Sequence, residues 1–191
     1  MQILLLDRNG TPNKWINWES AVCYYAKDLV SWEMGGDSRT VLGGQNRITG
    51  KQSKIVSAPI IAVKGEAGRR KQRPPTLNNK ELFRRDRHMC AYCGHIFGDS
   101  KLTRDHIIPR SKGGEDTWLN CVTCCSKCNA KKDDKTLEQV GMQLLYVPYV
   151  PTHAEYLLLQ GRNITGDQMA YLLSMVDDKS RLKKELESKA A

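Results

Sequence analysis

Cys90-Ala91-Tyr92-Cys93, then Leu102-Thr103-Arg104-Asp105-His106-Ile107-Ile108-Pro109-Arg110, then Cys125-Ser126-Lys127-Cys128-Asn129-Ala130-Lys131-Lys132, decide how this chain folds. Two CxxC pairs supply four thiolates on two tight turns, the ligand set of one structural zinc. Cys121 and Cys124 form a competing CxxC. Cys125/Cys128 is preferred, because Asn129 and Lys131-Lys132 follow it directly as a helix start. That choice leaves Cys121 and Cys124 as small, buried, apolar residues. Between the pairs, Leu102-Thr103-Arg104 reads as a short strand leading into Asp105-His106. Neighbouring side chains on an extended chain point to opposite faces. Asp105 can therefore bind a metal while His106 faces a water. The imidazole pKa suits a general base near neutral pH.

Outward from this centre, Asn78 with Glu81 three residues on has a capping-box pattern and opens a helix. Leu82 and Phe83 form its apolar face, and Arg84, Arg85 and Arg87 a basic one. Trp118–Val122 reads as a loop or short helix. Upstream, Gly68-Arg69-Arg70-Lys71-Gln72-Arg73-Pro74-Pro75 reads as a basic linker, since Pro-Pro cannot sit inside a helix. Ile3–Leu6, Leu29–Glu33 and Ala58–Val63 read as strands, and Trp18–Lys27 has helical apolar spacing. Gly35-Gly36, Gly43-Gly44 and Gly50 mark turns or loops. Trp15, Trp18 and Trp32 are expected in the core. Downstream, Thr165 precedes one long helical pattern, Met169–Leu186, which could dimerise or pack in cis. The fold class is α+β. Its expected parts are an N-terminal α+β domain (1–65), a linker (66–75), a zinc-stapled core (76–141) and a C-terminal helical extension (142–191).

The 191 residues carry a net charge of +9, unevenly spread. Residues 47–73 hold eight Lys/Arg against a single acid. Such clusters favour an anionic polymer, because they release counterions from phosphate. No apolar run is long enough to span a bilayer, and the first residues are too short and too soon charged for a signal peptide. A cytoplasmic protein with metal-bound or free cysteines is therefore expected.

The motif resembles the HNH endonucleases, whose core is a ββα-metal fold. The resemblance rests on Asp105-His106-Ile107-Ile108-Pro109-Arg110-Ser111-Lys112-Gly113-Gly114, then Trp118-Leu119-Asn120, then the Cys125–Lys132 run. It covers roughly residues 77–141. The N-terminal region is also similar to the small β-rich extension that precedes this core in some bacterial and phage members. The resemblance implies that His106 is the general base and that Asn120 holds the loop and orients His106. It implies that Asp105 and Asn129 bind one divalent ion, and their hard oxygen ligands suit Mg²⁺ or Mn²⁺. Cys121 and Cys124 depart from the aliphatic or small residues usual at their positions.

The activity implied is hydrolysis of a phosphodiester in double-stranded DNA, leaving 5′-phosphate and 3′-hydroxyl ends. Zinc at Cys90, Cys93, Cys125 and Cys128 stays outside the chemistry, since four thiolates leave no open position. Arg104, Arg110, Lys112, Lys131 and Lys132 are expected on phosphates, and Arg69, Arg70, Lys71 and Arg73 along the backbone or a groove. His88, His95 and His153 are expected outside the site. The competing reading is a zinc-stapled DNA-binding module without catalysis, which would need none of Asp105, His106, Asn120 and Asn129.

Overall fold

Ile3-Leu4-Leu5-Leu6 and Ile60-Ile61-Ala62-Val63 are apolar without alternation, as strands covered on both faces must be. In the computed structural model, which describes residues 2–65, 74–161 and 163–190, both lie at the centre of a sheet. That sheet has four strands, β1 (Ile3–Leu6), β2 (Pro12–Ile16), β3 (Val30–Met34) and β6 (Ile60–Val63), in the order β2-β1-β6-β3. β1 runs parallel to β6, and the outer pairs are antiparallel. Between β3 and β6 the chain makes a separate two-stranded antiparallel ribbon, β4 (Arg39–Gln45) and β5 (Gln52–Ser57). Gly43-Gly44 therefore lie inside a strand rather than in a turn. A Cβ on Gly43 would meet the Ser53 hydroxyl across the ribbon, so a larger residue there would turn that side chain aside.

Helix α1 (Trp18–Ala26) starts at Asn17, whose side chain accepts from the Ser20 amide at 3.0 Å. It covers one sheet face, over Ile3, Leu5, Ile16, Ala21, Ile61 and Val63. The opposite face, through Leu4, Leu6, Ile60 and Ala62, is covered by Ala154, Leu157 and Leu158 of α5 (His153–Gln160), Leu172 of α6 (Gly166–Leu173) and Leu182 of α7 (Arg181–Ala190). The expected single helix over 169–186 is thus two. Asp177 interrupts it: its carboxylate accepts from the Lys179 amide at 2.7 Å and its carbonyl from Ser180 at 2.9 Å. Aspartate competes with helix in this way by offering the backbone a local partner. The break lets Leu172, Val176 and Leu182 all reach one core, so α7 packs in cis. Trp15 and Trp32 pack on this core and Trp18 on the other.

Contacts divide the chain into Met1–Arg73 with His153–Ala191, and Pro74–Thr152. The residues from His153 onward thus belong with the N-terminal sheet rather than forming an extension of their own. Gln168 shows why: fully buried, its amide donates to the carbonyls of Gln2 at 2.8 Å and Pro59 at 2.7 Å.

The second unit contains α2 (Asn79–Arg85), β7 (Leu102–His106), β8 (Cys121–Cys125), α3 (Ser126–Lys132) and α4 (Leu137–Val140). Asn78 caps α2 by accepting from the Glu81 amide at 3.0 Å. β7 and β8 pair antiparallel, Leu102 opposite Cys125 and His106 opposite Cys121, and α3 follows β8 without a break. Trp118–Val122, expected as loop or helix, is a turn running into β8. The apolar core is small: Leu82, Phe83, Leu102, Trp118 and Cys121. Arg85 is not on a solvated basic face. Only 2% exposed, it pairs with Asp86 at 2.8 Å and donates to the carbonyls of Trp118, Cys121 and Tyr149. A guanidinium's five donors let one buried side chain tie three chain segments together.

Candidate functional site

Four sulfurs, of Cys90, Cys93, Cys125 and Cys128, lie within 4.8 Å of one another. This is the quartet preferred from the sequence. Cys121 and Cys124 lie outside the quartet and are buried, Cys124 packed against Cys90 and Cys125. Burial pushes the Cys90 thiol up, but amides of Cys125, Cys93 and Tyr92 outweigh it and bring it down to about 7. Cys93 is raised by burial. Cys128 is raised by burial and then by its hydrogen bond with Cys125. Thiols packed this closely cannot all ionise without a cation between them, and the donor set fits a tetrahedral zinc.

Asp105 and His106 close β7 and point apart, as strand alternation requires. The Asp105 carboxylate, 5% exposed, takes a hydrogen bond from the Tyr92 hydroxyl on Oδ2 and sits 3.2 Å from Lys132 Nζ on Oδ1. Tyr92 is one of the two residues between Cys90 and Cys93, so the first cysteine turn reaches this carboxylate directly. Burial, then the bond to Asp105, holds the Tyr92 hydroxyl well above its ordinary pKa. Lys132 also donates to the His106 carbonyl at 2.6 Å. Lys132 was expected on phosphate. It is instead fully buried, its ammonium held by Asp105 and the end of β7. One turn earlier on α3, Asn129 Nδ2 donates to Thr103 Oγ1 at 3.0 Å, on the Asp105 side of β7. Among the described residues no donor reaches Asn129 Oδ1. Each Asp105 oxygen has one partner and a second lone pair. A carboxylate and an amide oxygen with capacity left suit a hard divalent ion.

On the other side of β7, His106 Nε2 lies 2.7 Å from Asp116 Oδ1, and Arg104 Nη1 lies 3.1 Å from the same oxygen. The hydrogen bonds from His106 and then Arg104 hold the Asp116 carboxyl down at about 2. It is therefore ionised and can only accept, so Nε2 carries the proton and the neutral ring keeps its lone pair on Nδ1. Cys121 is near, its sulfur 3.7 Å from the same Asp116 oxygen, and burial pushes that thiol to about 11.

Asn120 ties the loop between His106 and Gly114. Its amide donates to the carbonyls of Ile108 at 3.1 Å and Glu115 at 3.0 Å, and its oxygen accepts from the Ile108 amide at 2.9 Å. Its own carbonyl accepts from Ile107 at 2.8 Å. Gly113 turns with φ +84°, and a Cβ on Gly114 would overlap the Ile108 carbonyl. The glycine pair is thus what lets this loop close on Asn120.

Residues 90–145 match the family model described as HNH endonuclease. This stretch is an HNH segment. The match bears out the resemblance read from its motif, and its strand-strand-helix order is the ββα arrangement of that fold. Among curated proteins, none matches the chain.

Of the other expected residues around the HNH segment, Arg110 and Lys131 are exposed, and Lys112 is exposed with its ammonium 2.6 Å from Gln139. Arg104 is engaged by Asp116 and by Asn79 at 2.9 Å. Arg69, Arg70, Lys71 and Arg73 lie outside the described residues. His88 pairs with Asp99, His95 is exposed, and His153 bonds the Asn13 carbonyl. Tyr92, Asp116 and the inward role of Lys132 were not read from the sequence. Only tertiary pairing brings Asp116 to His106. Among the described residues no helix is long and apolar enough to cross a membrane.

Proposed function

We propose that the protein is a metal-dependent DNA endonuclease. One observation carries this reading: in a segment matching the HNH endonuclease family, Asp105 and His106 leave one strand end on opposite faces. The first sits on the Asn129 side and the second is oriented by a carboxylate. A binding module needs no oriented histidine.

His106 Nδ1 takes a proton from water, and the resulting hydroxide attacks a DNA phosphorus in line. Asp116 keeps the ring in that tautomer and stabilises the imidazolium that forms, the role a carboxylate plays behind any histidine base. Asn120 holds the loop that shapes the histidine's side of the site. Asp105 and Asn129 would hold one Mg²⁺ or Mn²⁺, which supplies charge neutralisation at the phosphate and the departing 3′-oxygen. The expected ends are 5′-phosphate and 3′-hydroxyl. Cys90, Cys93, Cys125 and Cys128 would hold a zinc that fixes the fold and takes no part in the reaction. Arg110 and Lys131 remain candidates for phosphate contact.

The test is plasmid cleavage with Mg²⁺ or Mn²⁺. His106→Ala should lose cutting by a factor on the order of 10²–10⁴ while keeping its zinc, as expected for removal of a general base. Equal activity in wild type and variant, or none in either with zinc in place, would refute the nuclease reading.

A further inference from the structure

Positive charge is also concentrated upstream of the HNH segment. From Ser38 to Gly65 the chain contains no acidic residue, yet carries Arg39, Arg47, Lys51, Lys54 and Lys64. The first four belong to the β4–β5 ribbon and its tip. The register pairs Thr40 with Val56, Val41 with Ile55 and Leu42 with Lys54. Val41 and Ile55 are half-buried, whereas Thr40, Leu42, Lys54 and Val56 on the other face are exposed, Leu42 at 60%.

The tip is built, not frayed. Asn46 Oδ1 accepts from the amides of Ile48 at 2.9 Å and Thr49 at 3.0 Å. The Asn46 backbone closes on Lys51 and Gly50, each at 2.8 Å. This turn holds Arg47 outward beside Ile48, which is 95% exposed. Among the described residues no carboxylate pairs with Arg47, Lys51 or Lys54. Arg47, Lys51 and the bare Ile48 side chain thus sit at the end of a two-stranded arm, with Lys54 on its exposed face.

That combination has a matching partner chemistry. The major groove of B-DNA, about 12 Å wide, admits a two-stranded ribbon, and its thymine methyl groups accept aliphatic contact. Phosphates on both walls attract cations at the ribbon's tip and exposed face. An acidic protein surface would meet the charge, but it gives the exposed Ile48 and the ribbon's length no role. We propose that the β4–β5 ribbon is a DNA-contacting arm that enters a groove of the duplex tip first. Arg47, Lys51 and Lys54 contact phosphates, and Ile48 meets the groove floor. This rests on the nuclease reading and gives the enzyme a grip on substrate outside the HNH segment.

The experiment uses the full chain in a His106→Ala background, with no divalent ion added, and measures duplex DNA binding against salt. Arg47→Gln/Lys51→Gln/Lys54→Gln is compared with Arg47→Lys/Lys51→Arg/Lys54→Arg. The Gln variant should bind at least about tenfold more weakly and lose roughly 3 units from the slope of log affinity against log salt, about one per phosphate contact. The charge-conserving variant should keep most of both. Circular dichroism and melting should be unchanged in each. A Gln variant with wild-type affinity and slope overturns the arm while wild-type cleavage leaves the nuclease standing. Failure of the wild type both to bind and to cut DNA refutes the nuclease reading instead. Retention on phosphatidylglycerol vesicles but not on duplex would also overturn the arm.

Discussion

The two units are held together by different physics. In the sheet unit, β1 and β6 bury eight aliphatic side chains between two helical layers, and the few buried polar groups, such as Gln168, serve as stitches. In the HNH-containing unit the larger apolar cluster is five buried residues. Around it lie a buried Arg85–Asp86 pair, a buried Lys132–Asp105 pair and four clustered thiols. A region this short rarely buries enough apolar surface to be stable alone, and metals or other cross-links make up the difference. Of these buried charges, Asp105 also belongs to the proposed reaction centre.

The contrast is most exposed at the cysteines. Cys128→Ser should abolish zinc binding and unfold Pro74–Thr152, since structural zinc sites carry roughly 10–16 kcal/mol of apparent binding energy. The sheet unit should still melt cooperatively. Retained zinc and an unchanged melt would mean that Cys121/Cys124 can take over. Arg85→Ala should come next. It strands the Asp86 carboxylate, which then bonds only the Thr123 amide at 2.8 Å, and breaking a buried pair from one side costs about 3–5 kcal/mol. Chemical denaturation followed by zinc release would detect it.

In the sheet unit the matched change is Leu5→Ala, expected to cost about 2–5 kcal/mol as a cavity. It should leave zinc content untouched, and zinc loss would break the comparison by showing that the units do not respond separately. The smallest effect on folding belongs to Asp116→Asn, because the side chain is half exposed. Its expected signature is kinetic. An amide can donate to Nε2 and move the ring proton to Nδ1, so cutting should fall about 10–100-fold, as for other groups that orient a catalytic residue. Undiminished cutting would remove Asp116 from the mechanism. Its carboxyl lies below the ordinary value of 3.8, at about 2. Whatever stability the pairing adds is therefore present above pH 4 and lost as pH falls toward 2, a difference Asp116→Asn should not show.

Short-range signals were readable. The CxxC spacing, Asn78 as a helix cap, and Asp105-His106 at a strand end each depend on a few neighbouring residues. What escaped depends on partners far along the chain. Arg85 and Lys132 look like surface cations until the carbonyls of Trp118, Cys121 and Tyr149 and the Asp105 carboxylate are seen folded against them. Gly43-Gly44 carries a turn's composition, yet pairing with β5 places it inside a strand. The break at Asp177 contains neither proline nor glycine. It appears only when Leu172 and Leu182 must both face one core. Asp116 sits in a polar loop where nothing in its spacing singles it out.

Tyr92 joins two events that need not have been joined. It sits between the first two thiols, and its hydroxyl holds the Asp105 carboxylate. For a nuclease of the kind proposed, a chain without zinc at the four thiols would also lack a seated Asp105 carboxylate, so metal loading and readiness of the reaction centre would rise together.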